Sequence, residues 1–247
     1  MKLELSTWPE VQAYLEQSRG IVIPIGSTEQ HGPTGLIGTD AICPTHIANA
    51  LSADGILVAP TLSIGMAQHH LAFPGSITLR PSTLMAVVRD VVMSLASQGF
   101  RQFYFLNGHG GNINTVQAAF AEIWAESSLS AQPSGLKLKL ANWFAGPRVV
   151  ALNKTLFGDA EGWHATPSEI SLTWDAYPDQ VRQQTLDPRR APLGDIREAA
   201  NYRQQFPDGR IGSEPELASR EHGRRILEAA LADAREDYAA FVKAETA

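Results

Sequence analysis

Within VIPIGSTEQHGPTGLIGTD (22–40), Glu29, His31 and Asp40 fall close together among glycines and prolines, directly after an apolar run. Glu29 and His31 are two residues apart. In an extended segment their side chains point the same way and reach one ion or two neighbouring ions. Asp40 follows a turn built from Gly32, Pro33, Gly35 and Gly38, which can fold it back toward them. Carboxylate oxygen with imidazole nitrogen suits Zn²⁺, Mn²⁺ or Fe²⁺, and a bridging carboxylate permits two metals side by side. The plainer reading makes Glu29 and Asp40 helix caps and His31 a turn residue.

Two further stretches carry similar chemistry. NGHGGN (107–112) surrounds His109 with glycines, which allow close approach of a ligand, and opens a helix whose N–H groups can face an anion. It lacks the lysine of a phosphate-binding loop, and no GxGxxG occurs. EGWHATPSEISL (161–172) supplies Glu161, His164 and Glu169, with Pro167 and Ser168 reading as a helix start. Glu169 then sits in the first turn, where the helix dipole favours a carboxylate. His164 follows Trp163, and Trp163 and Trp143 are read as core or rim residues beside a proton-transfer group. In GMAQHH (65–70) the adjacent His69 and His70 of an extended segment diverge, so one of them, His70, is expected to reach the cleft. His46 and His222 fall in or near helices.

The elements that must position these groups alternate in type. Segments 20–26, 55–65, 101–107 and 136–143 read as strands, and 46–54, 82–100, 112–127, 168–177 and 223–244 as helices. Ser82 is expected to cap the second of these helices and Gly99 to stop it. Strand, loop and helix in succession give an α/β fold: a mostly parallel sheet covered on both faces, three layers deep. Ligands of such sheets bind beyond the carboxyl ends of the strands, so the three histidine loops are expected on one rim. Residues 144–222, punctuated by prolines, read as long loops that include a lid, with room for disorder near 187–215.

Composition narrows the partners. The chain has 247 residues, enough for one large domain or two small ones, and a net charge of -6. The acidic balance gives no basic footprint for nucleic acid or a membrane surface. No stretch approaches the roughly 18 apolar residues of a membrane span, and the N-terminus has no signal-peptide core. Cys43 is the single cysteine, which fits a reducing cytoplasm. A cytoplasmic protein is expected.

GSTEQHGPTGLIGTD, HHLAFPGSITL, NGHGGN and WHATPSE together resemble the creatininase (creatinine amidohydrolase) family, over residues 22 to about 175. The resemblance implies a single α/β domain over 1–247, two divalent metals, a small-molecule amide substrate and a homo-oligomer, commonly a hexamer. It implies Glu29, His31, Asp40 and His109 as metal ligands, with Asp40 bridging, and His164 as the catalytic histidine. Where creatininase itself carries a ligating Glu, this chain has Gly111, and Glu169 is the candidate replacement. Glu29, Asp40 and His109 would then hold one ion, and His31, Asp40 and Glu169 the other. Gly110 and Gly111 would offer N–H groups to the oxyanion, with Trp143, Trp163 and His70 beside the substrate. The reaction expected is hydrolysis of a cyclic amide such as creatinine by a metal-activated water, with Zn²⁺, Mn²⁺ or Fe²⁺. Formamide and peptide hydrolases of the same family use the GHGGN form and are the alternatives, beside a non-catalytic binder that keeps the fold.

Overall fold

Three short parallel strands occupy the centre of the molecule: β1 (Gly20–Ile25), β2 (Gln102–Asn107) and β3 (Lys137–Asn142), in the order β1-β2-β3. The structure is a computed structural model and describes residues 1–243. The helices are α1 (Trp8–Leu15), α2 (Thr39–Leu51), α3 (Pro81–Ser97), α4 (Ile113–Leu129), α5 (Pro147–Leu156), α6 (Pro167–Ala176), α7 (Ala199–Gln205) and α8 (Arg220–Lys243). Side chains alternate between the two faces of a strand, and both faces here are covered. Ile21, Ile23, Ile25, Phe103 and Phe105 pack with Leu84 and Val88 of α3 and Val116 and Phe120 of α4. Val22, Tyr104 and Leu106 pack with Ile47 of α2, Val149 of α5, Leu172 of α6 and Ile226 of α8. This is the three-layer α/β/α arrangement expected from the sequence. No helix among the described residues is long and apolar enough to cross a membrane.

Several expectations are corrected. The apolar stretch 55–65 is not a continuous strand. It touches β1 only through single parallel bridges, Val22 with Val58 and Ile25 with Leu62. Pro60 and Pro24 both lack the N–H that a ladder requires, and they fall between those bridges. Helix α3 begins one residue before Ser82, at Pro81, whose fixed φ suits the first helical position; Arg80 precedes it as N-cap. Gly99 does end it, at φ 117°. The stretch near 187–215 is packed rather than disordered: Ala191, Tyr202, Phe206, Arg210 and Ile211 are all buried. Its anchor is the Arg210 guanidinium, which donates to Asp208 Oδ2 (2.8 Å) and to the carbonyls of Arg189 (2.8 Å) and Pro188 (2.7 Å). The C-terminal helix starts at Arg220; residue 244, its expected end, lies outside the described residues.

The largest correction concerns Asp40. The helix expected at 46–54 begins at Thr39 and runs through Pro44, so Asp40 is placed by a helix and not by a turn. Pro44 has no N–H to give to the carbonyl of Asp40, four residues earlier. That carbonyl instead lies against Gly108 at the end of β2, where a Cβ would collide with it. A Gly108→Ala substitution is therefore expected to push α2 away from the sheet, costing about 1–3 kcal/mol in denaturant unfolding and lowering metal retention. Unchanged stability and metal content would show that this close approach is unimportant.

Candidate metal centre

The ends of β1 and β2 and the irregular segment beside β1 open on one rim, and the three loops they release meet there. Glu29 and His31 follow β1. His109 follows β2, held in line by Asn107, whose side-chain N–H donates to the His109 carbonyl (2.7 Å). Asp40 and Glu169 stand in the first turns of α2 and α6, the positive ends of those helices.

The distances between these groups define a cluster around Asp40. The Nδ1–H of His31 donates to the Glu29 carbonyl (3.1 Å), which turns Nε2 toward Asp40 Oδ1 (3.1 Å) and Glu169 Oε2 (3.9 Å). His109 repeats the pattern in reverse. Its Nε2–H donates to the Met66 carbonyl (2.8 Å), and its Nδ1 lies 2.8 Å from Asp40 Oδ2. A ring N–H tied to a carbonyl, with the other nitrogen left free beside a carboxylate, is the arrangement of metal-binding histidines. Glu29 Oε2 accepts from the Ser27 hydroxyl (2.8 Å) and lies 3.3 Å from His109 Nε2. Glu29 Oε1 lies 3.0 Å from His70 Nε2 and 3.9 Å from His164 Nδ1. Glu169 fulfils both readings made of it: Oε1 accepts the Thr166 N–H (2.6 Å) in a capping box, while Oε2 faces His31.

Three groups of donors within this cluster have ligand atoms lying within 4.8 Å of one another: Glu29, Asp40 and His109; His31, Asp40 and Glu169; and Glu29, His31 and His164. The first two share Asp40 and match the division the resemblance implies. Glu29 Oε1 and Asp40 Oδ2 are buried without a hydrogen-bond partner, because neither nearby ring nitrogen is aligned to donate to them. Buried carboxylate oxygens without partners are costly. Oxygen and imidazole donors of this kind fit divalent cations such as Zn²⁺ or Mn²⁺, so the residues present suit two ions sharing Asp40.

Without cations the charges lean on one another. Burial, followed by repulsion from Asp40, raises Glu29 to about 7 against the pull of His109 and His31. Burial likewise raises Glu169 to about 7. Burial opposes a charge on His31, but Asp40 and Glu169 outweigh it and raise the ring to about 10. In the same way Glu29 and Asp40 raise His109 to about 9 against burial. Burial works against the Asp40 carboxylate too, yet His31 and His109 hold it well below its ordinary range. His164 and His70 behave in the opposite way. Burial first, then nearby imidazoles, lower His164 well below its ordinary value and His70 to about 2, so both rings are neutral.

The cluster forms the floor of a cavity of about 970 Å³. Every residue nominated beside the substrate lines it: Gly110, Gly111, Trp143, Trp163 and His70, together with the proton-transfer candidate His164. Trp143 is buried and Trp163 is 81 % exposed at the mouth. Gly111 leaves no room for a side chain, since a Cβ would collide with the His109 ring and lie 2.7 Å from the Met66 carbonyl. His69 and His70 do not diverge as an extended pair would. They sit in a 3₁₀ turn (Gln68–His70) with ring centroids 4.2 Å apart, and both line the cavity.

Three contributors escaped the sequence. Gln30, between two nominated ligands, is buried against His70, His164 and Tyr202; only its position in the motif hinted at this. Tyr202 and Ile211 come from the stretch read as long loops with room for disorder, and no local pattern marks them. Ile211 forms a bridge with His164 that fixes the backbone there. Glu161 was named without a role. It lines the cavity, its carboxyl is raised to about 7 by burial, and it accepts from the Ser168 hydroxyl and the Asn153 amide (3.2 Å).

A three-layer α/β/α fold with a carboxylate–imidazole cluster at the strand ends is what fold and geometry define. The family model described as creatinine amidohydrolase matches residues 4–237, and the chain belongs to the creatininase family. It is 28% identical over 236 residues to the mycofactocin precursor peptide peptidase of Mycobacterium ulcerans, covering 90% of this chain and 81% of that protein. It is 28% identical over 240 residues to the creatinine amidohydrolase of Pseudomonas putida, covering 90% of each. A solved structure titled "Creatininase Mn" superposes with a TM-score of 0.84 at 24% identity, covering 98% of this chain and 99% of that one. The chain is thus a creatininase-family amidohydrolase, with relatives of different substrates.

Cation binding must displace the protons that His31 and His109 carry at neutral pH. Zinc titrated into metal-free protein at pH 7, followed by calorimetry in buffers of different ionisation enthalpy, is expected to release about two protons per chain, with a further share from Glu29 and Glu169. Affinity should rise with pH up to the range near 9 and 10 where those rings lose their protons unaided. Zinc binding without proton release would show that these histidines are not ligands.

Proposed function

We propose that this protein hydrolyses the C–N bond of a small amide with the help of two divalent cations, a cyclic amide such as creatinine being the first candidate. The observation that carries this reading is Asp40, buried between two imidazoles that belong to two separate donor groups. Glu29, Asp40 and His109 would hold one cation, and His31, Asp40 and Glu169 the other. Such cations polarise a carbonyl and lower the pKa of water to near neutrality. The chain's own groups supply the rest. The N–H groups of Gly110 and Gly111, in the 3₁₀ turn (Gly110–Asn112) that leads into α4 and on the cavity wall, are suited to stabilise negative charge developing on the carbonyl oxygen. Neutral His164 can take up a proton and pass it to the leaving nitrogen. The Trp163 side chain at the mouth and buried Trp143 give the substrate apolar surface and exclude water.

A formamide or short peptide substrate is the second reading, favoured by two observations. The cavity, at about 970 Å³, lies at the upper end of the roughly 300–1,000 Å³ of small-molecule sites, more than one small ring needs. Gly111 also leaves the wall beside His109 without a side chain.

The test combines metal analysis with turnover of creatinine, formamides and short peptides, against a chelator-treated control. Asp40→Ala is expected to lose both cations. Glu169→Ala is expected to fall from about two equivalents to about one. His164→Ala is expected to keep both while turnover drops about 10²–10⁴-fold. Full metal content in Asp40→Ala would refute the shared site. Metal loss in His164→Ala would make His164 a ligand instead of a proton carrier.

A further inference from the structure

We propose that Gln30 is a positioning residue that sets the ring tautomers of two histidines at once: its side-chain amide fixes His70, and its main-chain carbonyl fixes His164. Gln30 lies between the nominated ligands Glu29 and His31, with its side chain directed away from them into a pocket made by His70, His164, Tyr202 and Gly209.

The amide can be oriented from its own contacts. Gln30 Oε1 accepts the Gly32 N–H (2.8 Å), and Gln30 Nε2 donates to the Gly209 carbonyl (2.9 Å). Exchanging the two atoms would set donor against donor at Gly32 and acceptor against acceptor at Gly209. The Tyr202 hydroxyl gives its own proton to the same Gly209 carbonyl (2.7 Å), reinforcing that end. With the amide fixed, its second N–H has His70 Nδ1 at 2.9 Å, His164 Nε2 at 3.0 Å and the Tyr202 hydroxyl at 3.3 Å around it, and His70 Nδ1 is the nearest acceptor. That nitrogen must therefore be the bare acceptor, and the ring proton sits on Nε2, which lies 3.0 Å from Glu29 Oε1.

The main chain of Gln30 decides the other ring. His164 Nε2 lies 2.8 Å from the Gln30 carbonyl oxygen and 3.0 Å from Gln30 Nε2; the shorter contact is attractive only if His164 Nε2 carries the proton, and the amide's two N–H groups are already directed to Gly209 and His70. The bare nitrogen of His164 is then Nδ1, the atom 3.9 Å from Glu29 Oε1. Nδ1 is consequently the atom through which His164 takes up and returns a proton. This last consequence rests on His164 being the proton carrier proposed above; the tautomers themselves do not.

The experiment reads tautomers directly, without turnover. Zinc-loaded protein carrying ¹⁵N-histidine is sedimented and its ring nitrogens are recorded by magic-angle-spinning NMR, with His70→Phe and His164→Phe used for assignment. Both His70 and His164 are expected as the Nε2–H form with a bare Nδ1. Gln30→Glu puts an acceptor oxygen beside His70 Nδ1 and is expected to move that proton to Nδ1. Gln30→Met, which removes the donor without adding charge, is expected to give a mixture at His70. His164 should stay Nε2–H in both variants, because its partner is main chain. An Nδ1–H form of either ring in the unmodified protein would overturn the proposal, as would a His70 tautomer indifferent to both substitutions. If the tautomers are as expected but no amide in the panel is hydrolysed, the positioning role stands and the functional reading fails.

Discussion

The structure depends on holding two carboxylates, Glu29 and Glu169, close to a third, the buried Asp40. Like charges this close cannot all be ionised without compensation. In the metal-free form two imidazolium rings supply part of it, with Asp40 between them. That compensation is incomplete, since one oxygen of Glu29 and one of Asp40 remain without partners. Cations placed in the two donor groups would replace the ring protons and satisfy the remaining oxygens. The cost of the cluster in the absence of metal is thus the reverse side of its affinity for metal.

The fold serves this constraint in two ways. Parallel strands send all their carboxyl ends to one rim, so loops distant in sequence meet without long connections. The supporting groups then immobilise each donor separately: Ser27 on Glu29, the Met66 carbonyl on His109, the Glu29 carbonyl on His31, and the Thr166 N–H on Glu169. Each such contact fixes one atom and frees the other for the centre. The strap over 187–215, clamped by buried Arg210, brings Tyr202 and Ile211 over the cavity and ties down the backbone of His164.

Much of this was legible in the sequence because it depends on local spacing. Glu29 and His31 two apart, a glycine-framed His109, apolar runs at β1 and β2 and the apolar–polar alternation at β3 are each readable without knowledge of the rest. What could not be read depends on contacts between distant residues. The helix read over 46–54 starts at Thr39, before Asp40, and it accommodates Pro44 by lending the freed Asp40 carbonyl to the close approach at Gly108. Pro60 broke a strand because its neighbour carries Pro24, a coincidence visible only once the two are side by side. The polar composition of 187–215 concealed one buried arginine that organises it. His69 and His70 both face the cavity because a 3₁₀ turn brings together side chains that a strand would separate.

The most direct measurement is anomalous diffraction at the zinc edge from crystals of the zinc-loaded protein. Two peaks are expected, on either side of the Asp40 carboxylate, one beside Glu29 and His109 and the other beside His31 and Glu169. A single peak that leaves either donor group without an ion, or peaks away from Asp40, would contradict the shared two-cation centre.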